Sequence, residues 1–253
     1  MRFALLGSGS EGNALLIESG ETRVLVDCGF GLAETEARLA RLGIAFEQLD
    51  AILVTHEHGD HAGGVARAAA KARAPVYLTH GTLSSLPSAA LAAAQIHLLD
   101  SHTAFALRDI CVKPFPVPHD AREPVQFVFE ADNARLGLLT DVGGLTPHIE
   151  KMLSGCNAIV LECNHDAQML RAGPYPAALK ARVAGRNGHL DNAAAAALLQ
   201  RIDSSRLRCL VAAHLSTTNN RPALARQALA TALNCAPDWI QVADQAQGLG
   251  WRD

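Results

Sequence analysis

Residues 55–61 read Thr-His-Glu-His-Gly-Asp-His, placing three imidazoles and an aspartate directly after the apolar strand expected at Ala51–Thr55. Few folds tolerate such a run. Protonated imidazoles at that density repel one another and neutral ones are hard to bury, so a bound cation is the economical account. The chain must therefore fold so that a buried strand ends in a loop and hands its side chains to a metal. Residues two apart on an extended chain point the same way, so His56 and His58 can converge on one ion. Asp60 and His61 belong to the next turn, where the chain bends towards a helix, and can face a second ion nearby. Gly59 and Gly63 permit that tight path.

Four ligands on one loop leave each ion under-coordinated, so other loops must supply the rest. Three residues stand where such loops would begin. His119 follows Phe115-Pro116-Val117-Pro118, Asp141 follows Leu136–Thr140, and His214 ends Cys209–Ala213 ahead of the polar stretch Ser216 to Asn220. A carboxylate such as Asp141 can bridge two cations and hold them about 3.5–4 Å apart.

The rest of the chain supplies a scaffold of matching form. Strands are expected at Met1–Leu6, Asn13–Glu18 and Thr22–Asp27, separated by Gly/Ser turns, then a helix at Ala33–Leu42. A helix over Ala62–Arg73, a strand at Val76–Leu78 and a helical stretch Leu83–Ala94 interrupted by Pro87 follow. The pattern turns strand-like again from Ala104 to Leu139, with Ile110–Val112, Val125–Glu130 and Arg135–Leu139 as its clearest runs. Alternation resumes with strands at Ala158–Glu162, Cys209–Ala213 and Trp239–Ala243, and helices near Pro176–Ala184, Asp191–Ile202 and Pro222–Leu233. Meander, alternation, meander, alternation is the signature of two mixed β-sheets packed face to face with helices on both outer faces, an αββα sandwich. With 253 residues and 49% hydrophobic composition, residues 1–253 are expected to form one such domain.

No apolar run approaches bilayer length, and the N-terminus reaches glycines and serines too early for a signal-peptide core, so no membrane association is expected and the reading is cytoplasmic. Six cysteines without a CxxC pair are expected to be reduced, mostly buried thiols. A net charge of −3 argues against indiscriminate nucleic-acid binding while leaving room for a local basic patch. Nothing in the sequence bears on oligomeric state.

The spacing of Asp27, the His56–His61 cluster, His119, Asp141 and His214 resembles the five motifs of the metallo-β-lactamase superfamily, in the same order. That resemblance implies His56, His58 and His119 on a first metal, Asp60, His61 and His214 on a second, and Asp141 bridging them. It makes Asp27 the residue that orients the metal loop without ligating. A closer resemblance, over nearly the whole chain, is to the YycJ/WalJ-like branch, described as 5′-to-3′ DNA exonucleases. It rests on Gly7-Ser8-Gly9-Ser10-Glu11-Gly12-Asn13, Leu161 to Asp166, Met169-Leu170, Gly173 to Pro176, Leu179 to Arg182, Gly188 to Asn192, and His214-Leu215-Ser216 with Asn219-Asn220. Gly59, Cys163 and Asp191 depart from it, standing where serine is expected; Asp191 serves equally well as a helix N-cap.

The implied reaction is hydrolysis of a phosphodiester. Two divalent ions, zinc first with manganese or iron as alternatives, acidify a shared water whose hydroxide attacks in line. Asp60 and His189 are the candidate catalytic residues, His189 by resemblance to the proton donor of transfer-RNA-processing enzymes. Asn164, His165, Lys180 and Arg182 are the candidate phosphate-facing residues, and DNA is the expected substrate. Within the same fold the rival is a hydrolase of small substrates such as a cyclic phosphodiester, thioester or lactam. Flavin-partnered di-iron members carry HxExD, and the imidazole at His58 argues against a flavin partner. A non-catalytic metal-binding module is disfavoured by so complete a ligand set.

Overall fold

The computed structural model describes residues 1–87, 91 and 94–253. The first half contains β1 (Arg2–Gly7), β2 (Ala14–Ser19), β3 (Thr22–Val26), α1 (Leu32–Arg41), β4 (Ala51–Leu53), α2 (Gly59–Ala62), α3 (Val65–Ala72), β5 (Val76–Leu78), α4 (His80–Ser85) and β6 (Ile96–Leu98). The second half repeats the plan with β7 (Phe105–Leu107), β8 (Ile110–Pro116), β9 (Val125–Ala131), β10 (Ala134–Leu139), α5 (Pro147–Leu153) and β11 (Ala158–Glu162). It continues through α6 (Ala167–Ala172), α7 (Ala177–Val183), α8 (Asn192–Leu199), β12 (Cys209–Ala213), α9 (Pro222–Leu233), β13 (Gln241–Val242) and β14 (Leu249–Arg252).

Two sheets result, ordered β14-β1-β2-β3-β4-β5-β6 and β13-β12-β11-β10-β9-β8-β7. In each, the meander is antiparallel and the far strands are parallel: β3 to β6 in one, β10 to β13 in the other. Period-two alternation sorts the core into layers. Phe3, Leu5, Val24, Val26 and Leu53 meet Val112, Phe127, Phe129, Leu138 and Val160 between the sheets. The opposite faces pack outward, Leu25, Ile52 and Val76 with Leu39, Val65 and Ala69, and Leu139, Ile159 and Leu161 with Ile149, Leu198 and Leu229. This is the expected αββα sandwich. All six cysteines are free, and no helix among the described residues is long and apolar enough to cross a membrane.

Some expected boundaries shift, for physical reasons. The helix expected over Ala62–Arg73 is divided: α2 carries Asp60 and His61, the chain breaks at Gly63-Gly64, and α3 begins at Val65. A Cβ on Gly64 would lie 2.1 Å from the Phe30 carbonyl oxygen, a close approach that only glycine permits. β8 runs through Pro114 and Pro116 because β7 pairs only with its first three residues, so the missing N–H groups face no neighbouring strand. The stretch expected as Leu83–Ala94 begins earlier, as α4 capped by Thr79, and residues 88–90 and 92–93 lie outside the described ones. The strands β6 and β14 and the helices α5 and α6 were not anticipated, although Thr146 before Pro147 and the Asp166 side chain are N-caps.

Candidate metal centre

Strand register brings the site together at one end of the sandwich. Val26 pairs with Leu53, which sets Asp27 beside the root of the histidine loop. Glu162 pairs with Ala213, placing the last residue of β11 next to His214. These are the carboxyl ends of parallel strands, where open α/β sheets gather their sites. Asp27, Asp141 and His214 all adopt left-handed backbone, with φ of 61°, 54° and 55°. Such conformations cost about 1–3 kcal/mol each and persist where surrounding structure imposes them. Here the histidine loop is sewn down: Cys28 donates its N–H to the His61 carbonyl at 2.8 Å and Asn13 to that of Asp60 at 2.8 Å. A Cβ on Gly29 would sit 1.8 Å from the Asp60 carbonyl oxygen.

Each imidazole is aimed by what its other nitrogen touches. Asp27 accepts from the Thr55 N–H and hydroxyl, both at 2.8 Å, and from His61 Nδ1 at 2.8 Å. A carboxylate only accepts, so Nδ1 carries the proton and the bare Nε2 of His61 faces inward. His119 Nδ1 donates to the Gly188 carbonyl at 3.1 Å. Glu162 does the same for two rings, accepting from His189 Nδ1 at 2.8 Å and lying 3.3 Å from His214 Nδ1. His58 is reversed and turns its Nδ1 inward, 3.0 Å from His56 Nε2 and 3.3 Å from His119 Nε2.

Two triads emerge, His56-His58-His119 and Asp60-His61-His214, each with its ligand atoms within 4.8 Å of one another. Asp141 lies between them: Oδ2 is 3.1 Å from His61 Nε2, and Oδ1 is 3.4 Å from His214 Nε2 and 3.9 Å from His119 Nε2. With Nδ1 protons committed outward, these contacts set lone pair against lone pair. Asp141 Oδ2 and His214 Nε2 are buried without a hydrogen-bond partner, the condition a cation relieves. Metal–nitrogen bonds of about 2.0–2.1 Å set tetrahedral ligand atoms roughly 3.3 Å apart, close to the spacing in the first triad. The donor set therefore fits divalent metal. Without metal the same groups compete for protons. Burial opposes the imidazolium of His214, but Asp141, Asp60 and Glu162 outweigh it and push the group up to about 10. Burial and the charge of His61 drive His56 well below its usual value.

The cluster opens into a cleft of about 400 Å³ whose lining includes Ser10, His58, Asp60, Asp141, His189 and His214 together with Asp120, Tyr175, Leu179, Arg182 and Val183. His189 lies at its edge. Of the four candidate phosphate-facing residues only Arg182 lines the cleft. Asn164 and His165 are buried: the Asn164 side-chain amide donates to the His214 carbonyl at 3.2 Å, and its Oδ1 lies 3.3 Å from His165 Nδ1. Lys180 spends its ammonium on the Arg171 carbonyl at 2.7 Å. Asp191 caps α8 by accepting from the Ala194 N–H.

Three residues of the site went unread in the sequence. Glu162 also accepts from the backbone N–H groups of Val142 and Leu190, both at 3.0 Å. Burial raises its carboxyl, but His189 and His214 more than offset that and hold it at about 2. Asp120 accepts from Arg182 Nε at 2.6 Å and lies 3.4 Å from His119 Nε2. Burial opposes its charge, yet Arg182 and His119 keep its carboxyl below the usual range. Tyr175 is the third. Besides its place in the stretch Leu161 to Asp166, Glu162 carried a signal of its own, since a charge that closes a buried apolar run needs partners.

A β-lactamase superfamily domain spans residues 22–214, and the chain belongs to that superfamily of metallo-β-lactamase-fold hydrolases. Within it, the chain is 34% identical to the exodeoxyribonuclease YycJ of Bacillus anthracis, over 92% of this chain and 89% of that one. It is 31% identical to the exodeoxyribonuclease WalJ of Streptococcus pneumoniae, over 92% of this chain and 88% of the other. The metallo-β-lactamase-fold protein YhfI from Bacillus subtilis superimposes with a TM-score of 0.77 over 99% of this chain and 98% of its own; at 14% identity it speaks for the fold. Family and fold make the chain an enzyme of hydrolytic, metal-binding type.

Proposed function

We propose that the chain is a dinuclear metal-dependent phosphodiesterase that degrades DNA from an end. The observation that carries this reading is the pair of triads around Asp141, set at the mouth of a cleft that also holds His189 and Arg182. His56, His58 and His119 would hold one divalent ion, Asp60, His61 and His214 the second, with Asp141 between them. Zinc suits this donor set, as do manganese and iron. Bound there, the ions polarise a phosphoryl oxygen and acidify a water towards neutral pH.

The chain's own residues do the rest. Asp27 and Glu162 hold the tautomers that leave His61 and His214 free to ligate, and Asp60 sits where it can orient the attacking water. His189, with Nδ1 committed to Glu162, presents Nε2 to the cleft and can give a proton to the leaving alkoxide. Arg182 pairs with Asp120 through Nε and keeps its other N–H groups for a phosphate oxygen. The exodeoxyribonuclease activity for which these relatives are named favours DNA as the polymer.

The test is cleavage by metal-loaded protein of end-labelled linear DNA, beside a closed circle, a cyclic nucleotide and a thioester. Stepwise loss from an end with the circle intact is expected. With Arg182 as the cation of the cleft, binding should weaken with salt along a shallow log–log slope, close to one per phosphate neutralised. Intact DNA alongside rapid turnover of a cyclic phosphodiester or thioester would replace this reading with the small-substrate hydrolase.

A further inference from the structure

The cleft has a wall that the chemistry above does not use. No residue of α7 is buried, although Leu179 and Val183 lie one turn apart on a single face. With Tyr175, just upstream, they line the cavity that holds His58, Asp141 and His189, and all three remain half-exposed. Apolar side chains on a short helix normally dock it to a core, yet α7 is fastened by other means. The His189 N–H donates to the Val183 carbonyl at 2.9 Å. Gly188 permits that approach, since a Cβ there would lie 2.2 Å from the same oxygen. Lys180 holds the Arg171 carbonyl and Arg182 holds Asp120. Polar and backbone contacts thus anchor the helix and leave its apolar strip facing the metal-ligand cluster.

We propose that Tyr175, Leu179 and Val183 form a shelf on which the terminal nucleobase of the substrate stacks while its phosphodiester lies over the His/Asp cluster. The inference rests on the phosphodiesterase reading and adds its specificity element. Continuity decides the occupant: whatever lies on the strip shares a cleft with His58, Asp60, Asp141 and His189 and with Arg182. That combination of apolar strip, cation and His/Asp cluster matches a nucleotide unit. The cleft volume of about 400 Å³ is at the lower end of the range that encloses one small ligand, roughly 300–1,000 Å³, a size that suits a single end unit. Every base has a π-face, and such stacking is indifferent to sequence. The shelf therefore holds an end without selecting a base.

The experiment compares oligonucleotides ending in a normal nucleotide with the same strands ending in an abasic tetrahydrofuran unit, at each end in turn, using metal-loaded protein. Stacking of one base on an aromatic side chain sets the scale, so wild type should show a KM roughly 5- to 150-fold lower for the normal end, with kcat little changed. Tyr175→Ala should raise KM on normal ends by the same factor, and the two losses should not add. Tyr175→Trp should restore the preference. In stopped flow, 2-aminopurine at the terminal position should be quenched on mixing with wild type and stay bright with Tyr175→Ala. Equal KM for normal and abasic ends, with cleavage proceeding in wild type, overturns the shelf alone and needs no variant. Resistance of both kinds of end, in protein that still hydrolyses bis(4-nitrophenyl) phosphate, overturns the DNA reading and takes the shelf with it.

Discussion

Replacing Glu162 by glutamine removes a charge at nearly constant shape and isolates what that carboxylate does. Its two oxygens serve four donors: Oε2 takes the N–H groups of Val142 and Leu190 at 3.0 Å each, and Oε1 faces His189 Nδ1 at 2.8 Å and His214 Nδ1 at 3.3 Å. Glutamine offers one accepting oxygen. The backbone pair cannot move without disturbing the ends of β10 and α8, so the oxygen stays there and the NH₂ turns to the imidazoles. Facing a donor, each Nδ1 must give up its proton, which moves to Nε2. In His214 that is the nitrogen aimed at Asp60 and Asp141, and a protonated Nε2 cannot ligate. Loss of such an orienting partner typically costs 10- to 100-fold in metal affinity or activity, about 1.4–2.7 kcal/mol. Chelator competition would measure metal affinity, with circular dichroism confirming the fold. The ion assigned to Asp60, His61 and His214 should be held 10- to 100-fold more weakly while the other changes little. Unchanged affinity for both ions, in a folded Glu162→Gln protein, would refute the reasoning.

Two further variants separate ligands from other roles. Asp141→Ala should disturb retention of both metals, because its oxygens reach both triads, whereas His214→Ala should lose chiefly one; elemental analysis after reconstitution reads this directly, and equal loss in the two variants contradicts the assignment. His189→Ala should keep its metal and lose turnover by roughly 10²–10⁴-fold, the range for general acid catalysis, so metal loss there would make His189 a ligand instead.

The metal cluster was legible in the chain because its ligands are either crowded into one loop or stand at the ends of apolar runs. Chemistry that crowded is legible wherever it lies, and the strand ends follow from hydrophobic periodicity. Periodicity likewise foretold both sheets and most of the helices that cover them, though not α5 or α6, and gave α9 and the strands β5, β11 and β12 to the residue. It failed where burial is slight, as at β6 and β14, and where a prolines-bearing strand has one side unpaired, as at β8.

Other parts of the site depend on contacts between residues far apart in the chain. Glu162 orients His214 because β11 and β12 pair in a particular register, and nothing local to residue 162 announces a histidine 52 positions on. Asn164 and His165 have the chemistry of phosphate binders, yet the turn after β11 folds them inward, under His214. Tyr175 and Leu179 look like ordinary apolar residues until the packing of α7 against Gly188 leaves them facing the cleft. Residue types and strand ends by themselves picked out the His and Asp side chains that the fold gathers into one cluster. Which tautomers those side chains adopt, which neighbours aim them and what surface awaits the substrate were decided by tertiary structure, because direction and burial are properties of packed elements and have no one-dimensional trace.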